Sequence, residues 1–255
     1  MARKLLAKKP FDMSARVPMQ LGRESISSST VAMSELIKNG YDADAEDVHV
    51  EFHIRDKAIS TLVLKVDGNG MDADTIYEHW LKIGTDFKSG VELSANKQRV
   101  LTGAKGLGRL GLDRLSKKVV LYTKKVGSDK VIQLVVDWRK YEGTNASISE
   151  IEHYIFEHDL PLKGKYGEIF SHPEQSGTYM VLIGLKDNWN PGFIEDLKQE
   201  LRLLISPYRK SNDFSVMLHR TVNGVKYESE AIDTQELLKA ASWEVRAKVD
   251  TNNRV

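Results

Sequence analysis

The 255 residues hold 37 Lys plus Arg against 36 Asp plus Glu and are 41% hydrophobic, so the chain reads as one or two globular domains with a real core and no general electrostatic pull toward nucleic acid. It has no cysteine, which excludes disulfide frameworks, thiolate metal sites and cysteine nucleophiles. No apolar run approaches the ~18 residues of a membrane span, and Leu5-Leu6-Ala7 is too short a core for a signal peptide, so residues 1–13 read as a basic arm and a cytoplasmic location fits.

Ser27-Ser28-Ser29-Thr30 supply capping side chains for a helix over VAMSELIKNG, with Met33, Leu36 and Ile37 on its apolar face. Val48, Val50, Phe52 and Ile54 alternate with polar residues as a half-buried strand does, and STLVLKV at 60–66 gives the next strand. Asp72 can cap a helix over ADTIYEHWLKI. Residues 84–105 are polar without clear periodicity and read as a long loop, a length that usually carries function. A short helix over 108–116 follows, then strands at 118–124 and 130–137 joined as a hairpin. SISEIEHYIFEH suggests a helix, and GTYMVLIGL a strand. Pro191 opens a helix that runs to Ile205 and stops before Pro207, and DFSVMLH is a further strand. The alternation indicates α/β or α+β. Residues 14–220 form the candidate domain, and 221–255 read as a linker or the start of a second domain, so that the chain reads as a fragment of a longer protein.

Glu35, Asn39 and Asp42 recur at i, i+4 and i+7, one face of a helix. An amide oxygen there is a hard neutral ligand suited to magnesium, and a carboxylate can orient and deprotonate a water. Asp67-Gly68-Asn69-Gly70-Met71 ends a strand with glycines that permit a tight turn and close approach of a flat ligand. Gly103-Ala104-Lys105-Gly106-Leu107-Gly108-Arg109 leads into a helix, where free N–H groups, Lys105 and Arg109 favour phosphate. Taken singly, each motif also reads as an ordinary solvated face or turn. GLGRLG matches G-x-G-x-x-G, but polar residues precede it and the next strand ends in Thr123-Lys124-Lys125 rather than an acid, so a dinucleotide fold is disfavoured. Lys117-Lys118 and Lys124-Lys125 read as solvated charge, and His153 and His158 as residues of a surface helix.

The order of the motifs is more specific than any one of them. ELIKNGYDADA, DGNGM, TGAKGLGR and then Gly177-Thr178 opening a strand resemble the Bergerat-fold ATPase superfamily of gyrases, heat-shock chaperones, histidine kinases and MutL. HWLKIGTDFK and SPYRKSNDF resemble members near the chaperone and Microrchidia branches. The resemblance implies a two-layer α/β sandwich, a mixed sheet with helices over one face. It implies ATP and Mg as ligands, with Glu35 as general base and Asn39 as magnesium ligand. It also implies Asp42 and Ala43 closing the first box, Gly103, Gly106, Leu107 and Gly108 in a phosphate loop, and Thr178 near adenine. Asp67, Gly70 and Met71 fall in the adenine box, and 84–105 would be the lid.

One position departs from the family pattern. The acid that would bond the adenine amino group falls at position 66, which is Val66, and Asp67 next to it should face the other way on a regular strand. The implied activity is slow ATP hydrolysis that drives lid closure and nucleotide-gated homodimerisation with further domains or a protein partner. The alternatives are a nucleotide-sensing module without hydrolysis, to which Val66 points, and the ATPase part of a DNA-processing protein. A histidine kinase is disfavoured because no acceptor histidine precedes His49.

Overall fold

The computed structural model describes residues 12–56, 58–84, 93–101, 108–162, 168–187, 191–204 and 214–232. Among these, nine strands form one sheet: β1 (Asp47–Arg55), β2 (Ala58–Val66), β3 (Ser116–Lys124), β4 (Lys130–Asp137), β5 (Tyr154–Asp159), β6 (Gly177–Leu185), β7 (Ser215–Val222), β8 (Val225–Lys226) and β9 (Glu230–Ala231). Their order is β5-β4-β3-β6-β2-β1-β7-β8, with β9 also on β7. All pairs are antiparallel except β1 with β7, so the sheet is mixed.

The helices are α1 (Arg16–Ser25), α2 (Ser29–Asp42), α3 (Ala73–Thr75, continuing as a π-turn over Ile76–Trp80), α4 (Gly111–Leu115, entered through a 3-10 turn over Gly108–Leu110) and α5 (Pro191–Leu204). Alternation along the strands decides which face meets them. Val48, Val50, Phe52, Leu62, Leu64, Leu121 and Leu182 share one buried cluster with Met33, Ile37, Leu112, Leu115, Leu197 and Leu201 of the helices. The opposite face holds a smaller cluster without helix residues, in which Leu162 and Ile169 cover Val63, Val120, Tyr122 and Val181. The sandwich with helices over one face is therefore the observed architecture.

Three elements differ from the sequence reading. SISEIEHYIFEH is not a helix: Ser147 caps only a single 3-10 turn over Ile148–Glu150, and Tyr154–Asp159 pairs with β4 instead. The β-branched and aromatic alternation outweighs the helical spacing of the acids. His153 accordingly bonds the Tyr141 hydroxyl at 2.8 Å and His158 bonds Gln133 at 2.7 Å, so neither stands on a surface helix. The sheet also runs past residue 220, since β8 and β9 pair with β7. Residues 16–25, to which the sequence reading assigned no element, form α1, whose Gly22 lies so close to Leu110 that a Cβ would sit 2.9 Å from its side chain. Asp113, 1% exposed, fastens these helices to the sheet side through Lys186 at 2.5 Å and Arg23 at 3.0 Å.

Candidate nucleotide site

The site grows from the end of α2. Ser28, in extended conformation, accepts the Val31 N–H at 3.2 Å and starts the helix. Ala32, Met33, Leu36 and Ile37 face the core, which leaves Glu35 half-buried and Asn39 exposed. Glu35 pairs with Lys38 at 2.8 Å. Asp42 is buried rather than aligned on an open face with Asn39. The helix ends as the Ala43 N–H bonds back to the Asn39 carbonyl at 3.0 Å.

Three glycines bring the adjoining backbones together. A Cβ on Gly68 would lie 2.4 Å from the Ala43 oxygen, and one on Gly70 (φ +63°) 1.9 Å from the Lys124 oxygen. Gly177 (φ +131°) would place a Cβ 2.1 Å from the Val66 oxygen. No other residue tolerates these contacts, so the ends of β2, β3 and β6 and the end of α2 meet in one place. The Asn69 N–H bonds the Ala43 oxygen at 2.9 Å, and the Met71 N–H bonds the Thr123 hydroxyl at 2.9 Å. Thr123 in turn reaches the Gly177 carbonyl at 2.9 Å and the Thr178 hydroxyl at 3.0 Å.

Val66 and Thr178 are partners across β2 and β6, and Thr178 and Thr123 across β6 and β3, so all three share the helix-facing side. Val66 is 8% exposed and packs on Gly40, where an added Cβ would be 2.9 Å from its Cγ1. Asp67 points elsewhere: its Oδ1 accepts the N–H groups of Glu46 and Asp47 at 2.8 and 2.9 Å. The structure thus does not bring Asp67 to the floor beside Thr178.

Gly108 lies against Asn39, with an added Cβ only 3.1 Å from the amide nitrogen. Arg109 does not turn toward Asn39. Its guanidinium donates to the carbonyls of His79, Trp80 (2.5 Å) and Lys82 (3.3 Å), closing the end of the 73–80 helix, and burial pushes it below its usual pKa. Gly103, Lys105, Gly106 and Leu107 lie outside the described residues. Lys124 corrects the reading of its pair as solvated charge: it is fully buried and donates to the Pro173 and Gln175 carbonyls at 2.7 Å each, while Lys125 pairs with Asp72 at 2.5 Å.

Sequence reasoning missed a second set of residues. Within the expected loop 84–105, Asn96, Lys97 and Arg99 are bonded to the end of α2 and the residues after it. Leu93 and Val100 form an antiparallel bridge, and Ser94 and Arg99 are buried. Asp44, in left-handed conformation (φ +62°), collects hydrogen bonds from this segment. Burial alone would raise its carboxyl, but donation from Ser94, Asn96, Asn69 and Lys97 holds it below the usual carboxylate range. The sequence signal was slight: a second Asp in DADA, of a type that tolerates positive φ.

With this geometry in place, comparison with known proteins defines the class. The family model for histidine kinase-, DNA gyrase B- and HSP90-like ATPases matches residues 26–161, more than half the chain, and the chain belongs to that family. The chaperone protein HtpG of Helicobacter pylori is 35% identical over 103 residues, which cover 37% of this chain and 16% of that protein's length. Among solved structures, the N-terminal domain of a DNA repair protein is similar with a TM-score of 0.49 at 14% identity, covering 84% of this chain and 54% of that one. Among the described residues no helix is long and apolar enough to cross a membrane.

Proposed function

We propose that this chain binds ATP with magnesium between α2 and the glycine turn 67–71 and hydrolyses it slowly. Family membership supports ATP as the ligand class. The observation that carries the site is the approach of Gly108 to the exposed Asn39 amide, a gap that any side chain at 108 would narrow. Asn39 would hold the magnesium through its amide oxygen, with phosphate oxygens and water completing the shell. The bound cation would neutralise charge on the phosphates. Gly103, Gly106, Leu107 and Gly108, with Lys105, would wrap the phosphates, and Met71, Thr178 and Val66 would meet the base. Glu35 would orient a water and take its proton. Its pair with Lys38 is about a third exposed on both sides, a surface contact worth no more than ~1 kcal/mol, and so is readily released.

In this reading nucleotide binding favours a homodimer, and hydrolysis returns the monomer. The test is Glu35→Ala in calorimetry and in a phosphate-release assay, with light scattering for mass. Retained ATP affinity, lost phosphate release and an ATP-dependent dimer that no longer dissociates are expected. Equal phosphate release from mutant and parent would remove Glu35 from the chemistry, and a mass unchanged by ATP would remove the dimer.

A further inference from the structure

The turn 94–99 and the end of α2 are joined by two buried charges that do not pair with each other. Asp44, 6% exposed, accepts the N–H groups of Asn96 at 2.8 Å and Lys97 at 3.1 Å, and the Asn69 amide at 3.1 Å. Asn96 returns a bond to the Asn69 side-chain oxygen at 2.8 Å. Arg99, 4% exposed, donates to the carbonyls of Tyr41 at 3.1 Å and Ala45 at 2.6 Å and lies 4.5 Å over the Tyr41 ring. Ser94 closes the turn, with its N–H on the Arg99 carbonyl at 2.7 Å and its hydroxyl accepting the Arg99 N–H at 2.8 Å. Removing either side chain would leave the buried backbone groups it binds without that partner, so each fixes the backbone it touches. Arg99 thereby fixes the last turn of α2 two residues beyond Asn39, and Asp44 fixes the glycine turn through Asn69.

We infer that Asp44 and Arg99 are positioning residues that set the Asn39 amide relative to the glycine turn, and so govern the magnesium-dependent part of ATP affinity. The inference rests on the ATP site proposed above. Asp44→Asn is the sharpest probe. Asn tolerates the same left-handed backbone, but its NH₂ brings a donor to a site where every neighbour already donates. Arg99→Lys keeps the charge and loses the planar guanidinium that lies over the Tyr41 ring while its Nη1 donates to both carbonyls.

The experiment is calorimetry of ATP with and without magnesium for the parent, Asp44→Asn and Arg99→Lys. Parallel hydrogen exchange follows the Asn96, Lys97 and Arg99 amides of the parent. We expect the gain in affinity on adding magnesium to fall about tenfold in both variants, a larger loss than that of magnesium-free ATP affinity. Reciprocity then requires those three amides of the parent to exchange more slowly with Mg-ATP than with ATP alone. A variant that weakens both affinities equally, or neither, overturns the positioning role. Should neither variant fold, unchanged exchange in the parent overturns it alone. A parent that does not bind ATP at all refutes the site itself, a separate outcome.

Discussion

Val66→Asp restores an acceptor where the family pattern has one, and the structure sets both its cost and its gain. Val66 is nearly fully buried against Gly40, beside Val48 and across from Thr178. Removing the isopropyl group forfeits about 1.5–3 kcal/mol of burial. The hydroxyl of its cross-strand partner Thr178 is already bonded to Thr123. The free protein should therefore melt lower, by roughly 4–8 °C for a cost of about 2 kcal/mol. An adenine amino group would supply the missing donor. A hydrogen bond to a charged acceptor contributes about 1.5–3 kcal/mol, roughly a ten- to hundredfold tighter Kd. Guanine presents a carbonyl oxygen there and gains little. Calorimetry with ATP and GTP, beside melts with and without nucleotide, reads both effects. Equal tightening for the two nucleotides would refute the reasoning. So would a parent with strong ATP selectivity that disappears in Asp67→Ala, since Asp67 would then have to leave the Glu46 and Asp47 amides.

Asp113→Ala leaves Lys186 and Arg23 to the half-exposed Glu142, at 3.4 and 3.7 Å, and urea unfolding should show a loss of about 2–4 kcal/mol, below the value for a fully buried pair because Arg23 is half exposed and Glu142 remains. A change under 1 kcal/mol would mean the Asp113 contacts are replaced by water. Acid should act through Asp44 and Asp72, the latter held low first by Lys125 and then by Thr75. Their folded pKa values lie below the unfolded ones, so their stabilisation is fully present above about pH 4 and lost as pH falls through the folded values. Melting temperature in Asp44→Asn should show a shallower decline below about pH 4 and the parent's profile between pH 5 and 7; a difference confined to the upper range would contradict this assignment.

Local chemistry made much of the frame legible. The Ser28 cap, the alternation in β1 and the glycines at 68, 70 and 177 act over a few residues, and the sequence carries them openly. What stayed hidden depends on distant partners. The close packing of α1 on the turn before α4 depends on Gly22 meeting Leu110, residues far apart in sequence. Tyr154–Asp159 becomes a strand because β4 offers an edge. Lys124 looks solvated until the carbonyls of Pro173 and Gln175 surround it. Asp44 and Arg99 acquire their partners when 94–99 folds back on 41–45, a contact with no local signature. Val66 was legible as a departure from the family pattern, and the strand register gives the physical reason Asp67 does not stand in for it.

The central claim is that Asn39 and its surroundings hold a magnesium-linked nucleotide. The direct measurement is titration calorimetry of ATP, with and without magnesium, on the parent and on Asn39→Ala. Because Asn39 is exposed at the end of α2, its truncation should leave the melting temperature within about 1–2 °C. The account expects magnesium to tighten ATP binding in the parent and to have no effect in the mutant. Magnesium-dependent binding of equal strength in a folded Asn39→Ala protein would contradict it.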